Sequence, residues 1–230
     1  MKRYCIINNT QKAVINRLHH YGYECIATEK STDVSQPISL HADVLYLKTD
    51  NKLFVSQCQT KNIKYIESLK FKIETVKLAP GYKSECKLNM VYSDDLIICN
   101  PKTGLNLQYC DINKKMISVN QGYTKCSTIV LKNNLFITED NSIFNSLVKS
   151  GFECLLIEKG EVALEGYDYG FIGGASVYLE DENILLFFCD ITKHKDYEKI
   201  YNYCQKNKIE IDYISDMKLC DIGGAVICKT

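Results

Sequence analysis

A chain of 230 residues, 46% hydrophobic and 24% charged, has the composition of a globular fold with a substantial core, as one large domain or two small ones. Lys plus Arg and Asp plus Glu both number 28, so the formal net charge is zero, which argues against a general nucleic-acid or membrane-surface binder. The opening Met1 to Asn9 turns polar too early for a signal peptide, and no apolar run approaches the roughly 18 residues of a membrane span, so a soluble, cytoplasmic protein is expected.

In chain order, Ala13, Val14, Leu18 and Tyr21 form one apolar helical face, and Cys25 to Thr28 is an apolar strand. Leu47 to Val55 is a hairpin around a polar turn. Ile63, Ile66 and Leu69 mark the next helix, and Ile73 to Leu78 the strand that follows it. Val91 to Ile98 is a second hairpin, Thr103 to Ile112 a weaker helix, and Met116 to Val119 a strand. Val130 to Ile137 is a third hairpin. Asp140 is placed as the N-cap of a helix with Ile143, Phe144, Leu147 and Val148 on one face, Gly151 stops it, and Cys154 to Ile157 is the next strand. Tyr178 to Leu185 is the fourth hairpin, followed by a helix carrying Tyr197, Ile200, Tyr201 and Cys204, then a strand from Ile209 to Ile214. Asn and Asp in the hairpin turns tolerate the left-handed backbone that tight turns require.

This is one strand–strand–helix–strand unit repeated. Gly22-Tyr23-Glu24-Cys25-Ile26 recurs as Gly151-Phe152-Glu153-Cys154-Leu155, and Ile172-Gly173-Gly174-Ala175 recurs as Ile222-Gly223-Gly224-Ala225. Helices come five times and complete hairpins only four. The fifth hairpin must therefore join the chain ends, Val226-Ile227-Cys228 with Tyr4-Cys5-Ile6-Ile7, closing a ring that leaves no strand edge exposed. The alternative is an open α/β sheet with accidental similarity.

A closed ring brings equivalent strand starts together, and polar residues and glycine gather there: His41-Ala42-Asp43, Lys87-Leu88-Asn89, Gln121 to Ser127, Asp168 to Phe171, and Cys220 to Gly224. The 12 cysteines are mainly small buried hydrophobes in a reducing compartment. No paired Cys or His spacing points to zinc, and no disulfide, metal or cofactor is expected. His19-His20 lies on a helix surface, and most of the 16 tyrosines belong to core or helix faces.

His41-Ala42-Asp43-Val44-Leu45-Tyr46, running into Asp50 to Phe54, resembles the His-x-Asp strand of the pentein, or guanidino-group modifying, superfamily. Gln121-Gly122-Tyr123-Thr124-Lys125-Cys126-Ser127 is similar to its Gly-rich segment leading into the nucleophilic cysteine, two repeats further on. The resemblance implies a single domain over residues 1–230, a five-fold pseudosymmetric α/β propeller of ββαβ units. It implies a cysteine-dependent hydrolase acting on a guanidino or amidine group through a covalent thiouronium intermediate. Carried over residue by residue, Cys126 is the nucleophile and His41 the acid and base. Asp43, Asp168 and Asp221 are substrate-binding carboxylates, and Lys125 beside the cysteine lowers its pKa if its ammonium lies close. The partner implied is a small guanidino-type molecule. This chain departs from the family in placing the cysteine mid-chain; Cys228, after Gly223 to Ile227, is the competitor. A non-catalytic pentein, either a ligand sensor or a protein-binding scaffold, is the alternative function, and the oligomeric state stays open.

Overall fold

Short apolar strands that meet at polar turns, each followed by one amphipathic helix, pair at little loop-closure cost. The computed structural model of the protein, which describes residues 2–8, 10–105 and 114–230, follows that logic. β1 (Arg3–Ile7), α1 (Lys12–His20) and β2 (Glu24–Ala27) come first. A single helical turn, α2 (Ala42–Leu45), leads into β3 (Tyr46–Lys48), β4 (Leu53–Ser56), α3 (Thr60–Ser68) and β5 (Ile73–Val76). A second short turn, α4 (Tyr82–Glu85), precedes β6 (Val91–Tyr92), β7 (Leu96–Cys99) and β8 (Lys115–Ser118). Then come β9 (Thr128–Leu131), β10 (Leu135–Thr138), α5 (Asn141–Lys149) and β11 (Cys154–Leu156). The chain finishes with β12 (Ser176–Leu179), β13 (Ile184–Phe187), α6 (Tyr197–Lys206), β14 (Glu210–Tyr213) and β15 (Ala225–Lys229).

Among the described residues these strands form five three-stranded sheets. In β3-β4-β5, β6-β7-β8, β9-β10-β11 and β12-β13-β14 the first two strands are antiparallel and the third lies parallel to the second. The fifth sheet repeats the pattern with the two ends of the chain. β15 is antiparallel to β1, with Cys5 opposite Ile227, and β1 is parallel to β2. The helix expected at Thr103 to Ile112 falls mostly on residues 106–113, which lie outside the described residues. Residues from the first strand of every sheet, among them Tyr46, Tyr92, Ile129, Val177 and Val226, line one channel of about 230 Å³.

Each long helix buries a narrow stripe between its own small sheet and a neighbouring one. The pairs Val14 and Leu18, Ile143 and Leu147, and Ile200 and Cys204 are one turn apart and buried, whereas Ala13, Val148 and Tyr201, expected on the same faces, are exposed. The Asp140 carboxylate caps α5 by accepting from the Ile143 N–H at 2.9 Å. Each long helix then stops at a left-handed residue: Gly22 (φ 80°), Lys70 (φ 69°), Gly151 (φ 87°) and Lys208 (φ 57°). The repeated Gly22 and Gly151 are thus one structural position, and in two units a lysine takes it at a steric cost of about 1–2 kcal/mol.

Candidate functional site

The site is built from turns placed just ahead of the first strands. His41-Ala42-Asp43, expected as the start of a strand, is a helical turn instead: the His41 carbonyl accepts from the Val44 and Leu45 N–H groups, and extended structure begins only at Tyr46. A turn directs Asp43 inward where a strand would send alternate side chains to opposite faces. The segment 123–128 turns likewise, with Ser127 N–H donating to the Tyr123 carbonyl and Thr128 N–H to that of Lys125.

Asn89 joins the two turns. Its side-chain amide donates to the Asp43 carbonyl at 2.9 Å and to Cys126 Sγ at 2.8 Å, while its oxygen accepts from the N–H groups of Lys125 (2.9 Å) and Cys126 (3.2 Å). The residue is wholly buried, and the arrangement uses both its amide hydrogens and both its lone pairs. The Cys126 thiol in turn donates to Asp43 Oδ2 at 3.0 Å.

Burial dominates the electrostatics. It raises the Asp43 pKa to about 6, helped by the charge of Asp221 and opposed by His41, Cys126 and Lys125. Burial, then Asp43 and Asp221, push the Cys126 thiol well above its ordinary value, with only the Asn89 amide pulling it down. Unliganded, Cys126 is therefore a protonated thiol. Asp221 is fixed by two backbone donors, Gly223 N–H to Oδ1 at 2.8 Å and Phe171 N–H to Oδ2 at 3.0 Å. It faces His41, whose Nδ1 lies 3.7 Å from Asp221 Oδ1 and has no hydrogen-bond partner among the described residues.

The repeated Ile-Gly-Gly-Ala motif acquires its reason here. A Cβ on Gly174 would stand 2.0 Å from Asp221 Oδ1, and one on Gly223, at φ 91°, would stand 2.3 Å from the His41 Cα. Only glycine lets the carboxylate and the imidazole lie this close to the two backbones. His41, Cys126 and Asp221 then line one cavity of about 220 Å³, walled by apolar and aromatic side chains. Phe171 belongs to that wall, its ring 6.1 Å from that of Tyr123 and 5.9 Å from that of Tyr169. The Tyr123 hydroxyl is anchored on Glu85 Oε1 at 2.6 Å.

The remaining expected site residues take different places. Asp43 sits behind the thiol and does not line the cavity; Asp168 lines it from an exposed loop. Lys125 does not line it either: it faces the channel between the first strands. Burial lowers its own pKa, and the thiol beside it is raised, contrary to the expected activation. Cys228 pairs across from Tyr4 in the sheet core, where burial pushes its thiol up to about 12. Two residues not singled out from the sequence belong to this region. One is Asn89. The other is Glu139, which follows β10, accepts from the Ile172 N–H at 2.9 Å and leaves Oε2 buried without a partner among the described residues; burial raises its pKa to about 8. Asn89 stood among the polar strand starts, but nothing local marks it as a bridge to residues 37 and 46 positions away.

Among the described residues no helix is long and apolar enough to cross a membrane. A model for a family of unknown function (DUF6873) matches residues 5–226. No curated protein matches the sequence. Among solved structures, the chain is similar to a cysteine-to-serine mutant of DDAH from Pseudomonas aeruginosa complexed with citrulline, with a TM-score of 0.63, 11% identity and coverage of 98% of this chain and 96% of that one. It is similar to a dimethylarginine dimethylaminohydrolase adduct with S-methyl-L-thiocitrulline, with a TM-score of 0.62, 11% identity and coverage of 98% and 97%. It is similar also to SxtG, an amidinotransferase from Microseira wollei in the saxitoxin biosynthetic pathway, with a TM-score of 0.61, 8% identity and coverage of 92% and 88%. The fold is thus the pentein fold over nearly the whole chain.

Proposed function

The chain belongs to the DUF6873 family, and we propose that in it this pentein fold serves as a cysteine-dependent hydrolase acting on a guanidino or amidine group. We read the five sheets as blades of a ring that the β1–β15 pair closes. The observation that carries the functional reading is one cavity on which a thiol, an imidazole and a backbone-held carboxylate meet, at Cys126, His41 and Asp221. Structural neighbours bound to citrulline or S-methyl-L-thiocitrulline support the choice of a guanidine-related substrate.

The chemistry follows from the charges. A guanidinium entering beside Asp221 brings positive charge to a thiol held up by burial and two carboxylates, and so lowers its pKa. The proton passes to Asp43, its hydrogen-bond acceptor, as Sγ bonds to the central carbon and a C=N electron pair moves to nitrogen. His41, protonated for this step, gives its proton to the departing nitrogen as the C–N bond breaks, leaving a thiouronium on Cys126. Neutral His41 then takes a proton from water, and the hydroxide adds to the same carbon. The C–S bond breaks, sulfur recovers its proton from Asp43, and the urea-type product releases its extra proton to solvent.

The test is chemical. Chloroacetamidine, which mimics a guanidinium and alkylates thiols, should label Cys126 rapidly and saturably, as mapped by peptide mass spectrometry. Cys126→Ala should abolish turnover without unfolding the protein. A binding protein without turnover is favoured by one observation, the burial of the thiol against the Asp43 carboxylate, which disfavours the thiolate at rest. Slow labelling spread over the half-buried cysteines Cys25, Cys58, Cys154 and Cys220 would decide for that reading.

A further inference from the structure

The walls around His41 and Asp221 bear on which guanidines can enter. The 220 Å³ cavity lies below the roughly 300–1,000 Å³ usual for ligand pockets, so it takes a small molecule. A second cavity of about 400 Å³ shares His41, Leu164 and Asp221 with it and extends the space towards Gln11, Gln36 and Glu165. The carboxylates on these two cavities are Asp168, Asp221 and Glu165, and neither cavity has a lysine or arginine on its walls. The residues outside the described set, Met1, Asn9 and 106–113, contain no lysine or arginine side chain to add. Lys125 is turned into the channel.

A carboxylate on the ligand tail would therefore lie next to acidic groups with no lysine or arginine to pair it, the one imidazolium, His41, already facing Asp221 at 3.7 Å. A cation meets the opposite situation: the carboxylates of Asp168 and Asp221 and the aromatic rings of Tyr123, Tyr167, Tyr169 and Phe171, whose quadrupoles attract positive charge. From this we infer that the substrate is a small guanidine or amidine that carries no carboxylate, with an apolar tail ending in a second cation held by Asp168 and Glu165. The inference rests on the hydrolase reading and narrows it.

Calorimetry on Cys126→Ala, with Cys126→Ser as the second variant should the first lose its circular dichroism spectrum, separates binding from turnover. The probes are 4-aminobutylguanidine, butylguanidine and arginine. The expected order is 4-aminobutylguanidine tightest, butylguanidine next, and arginine weaker than butylguanidine by at least about tenfold. Asp168→Asn should weaken 4-aminobutylguanidine several-fold and leave butylguanidine unchanged. Arginine bound as tightly as butylguanidine, or turned over in preference by the wild-type protein, overturns the inference and leaves the hydrolase standing. Failure of all three probes to bind, together with no chloroacetamidine adduct on Cys126, overturns both.

Discussion

The Cys126 thiol donates a hydrogen bond to Asp43 Oδ2 at 3.0 Å, and the two groups set each other's protonation. Burial raises both pKa values; the Asp43 charge raises the thiol further, while the thiol's hydrogen bond lowers Asp43. Removing that charge in Asp43→Asn should therefore shift the thiol's midpoint downward. Iodoacetamide labelling of Cys126, followed against pH, should become several-fold faster at a fixed pH near 8, while turnover falls because the proton acceptor is lost. An unchanged midpoint would mean that burial and Asp221 set the thiol and that Asp43 is not its acceptor.

Asn89 holds the two turns together through four hydrogen bonds, two donated and two accepted. Asn89→Ala takes the acceptor from the N–H groups of Lys125 and Cys126 and opens a hole between α2 and the turn at residues 123–128. The expected cost is about 2–4 kcal/mol, read as a fall in the urea midpoint at an unchanged slope. A cost under about 0.5 kcal/mol, the usual range of a surface change, would show that the turns hold without it.

Much of the fold was legible because it repeats. The Gly22 and Gly151 segments announce one helix stop, and the tally of five helices against four hairpins calls for the β1–β15 pair. Two further stops, Lys70 and Lys208, stayed hidden because lysine occupies a left-handed position where glycine is the readable signal. The site was legible only in part. Cys126, His41 and Asp221 do meet on one cavity, because equivalent strand starts converge. The direction of a side chain is another matter. Lys125 and Cys126 are sequence neighbours inside a turn, and one faces the channel while the other faces the pocket. Glu139 was invisible because its role depends on the Ile172 N–H, 33 positions away in sequence.

Gly223 should be the least replaceable glycine of the site. In Gly223→Ala the new methyl meets the His41 Cα at 2.3 Å, and the backbone is held at φ 91°. Gly151→Ala is the matched control, with φ 87° and nothing within 4 Å of the added Cβ. The control should lose only the left-handed preference, about 1 kcal/mol, with activity intact. Gly223→Ala should lose more stability than the control and most of the turnover. Equal losses in thermal melts of the two variants would show that His41 yields freely and that the close approach carries no function.

Glu139 makes the stability depend on pH in a window where most proteins are insensitive. Its folded-state pKa stands at about 8, above its ordinary 4.5, and that of Asp43 at about 6, above 3.8. Both groups bind protons more tightly in the folded state. The stability they contribute is complete below about pH 4 and is lost as pH rises, through about 6 for Asp43 and about 8 for Glu139. Each pKa unit corresponds to about 1.4 kcal/mol, so the fall is of the order of a few kcal/mol. Glu139→Gln keeps the oxygen that accepts from Ile172 and removes the titration. Melting temperatures taken from pH 5 to 9 should decline steeply in the wild-type protein and more gently in Glu139→Gln, whatever the offset between the two curves. Parallel curves would show that Glu139 is already ionised at pH 5 and that its buried Oε2 is hydrated.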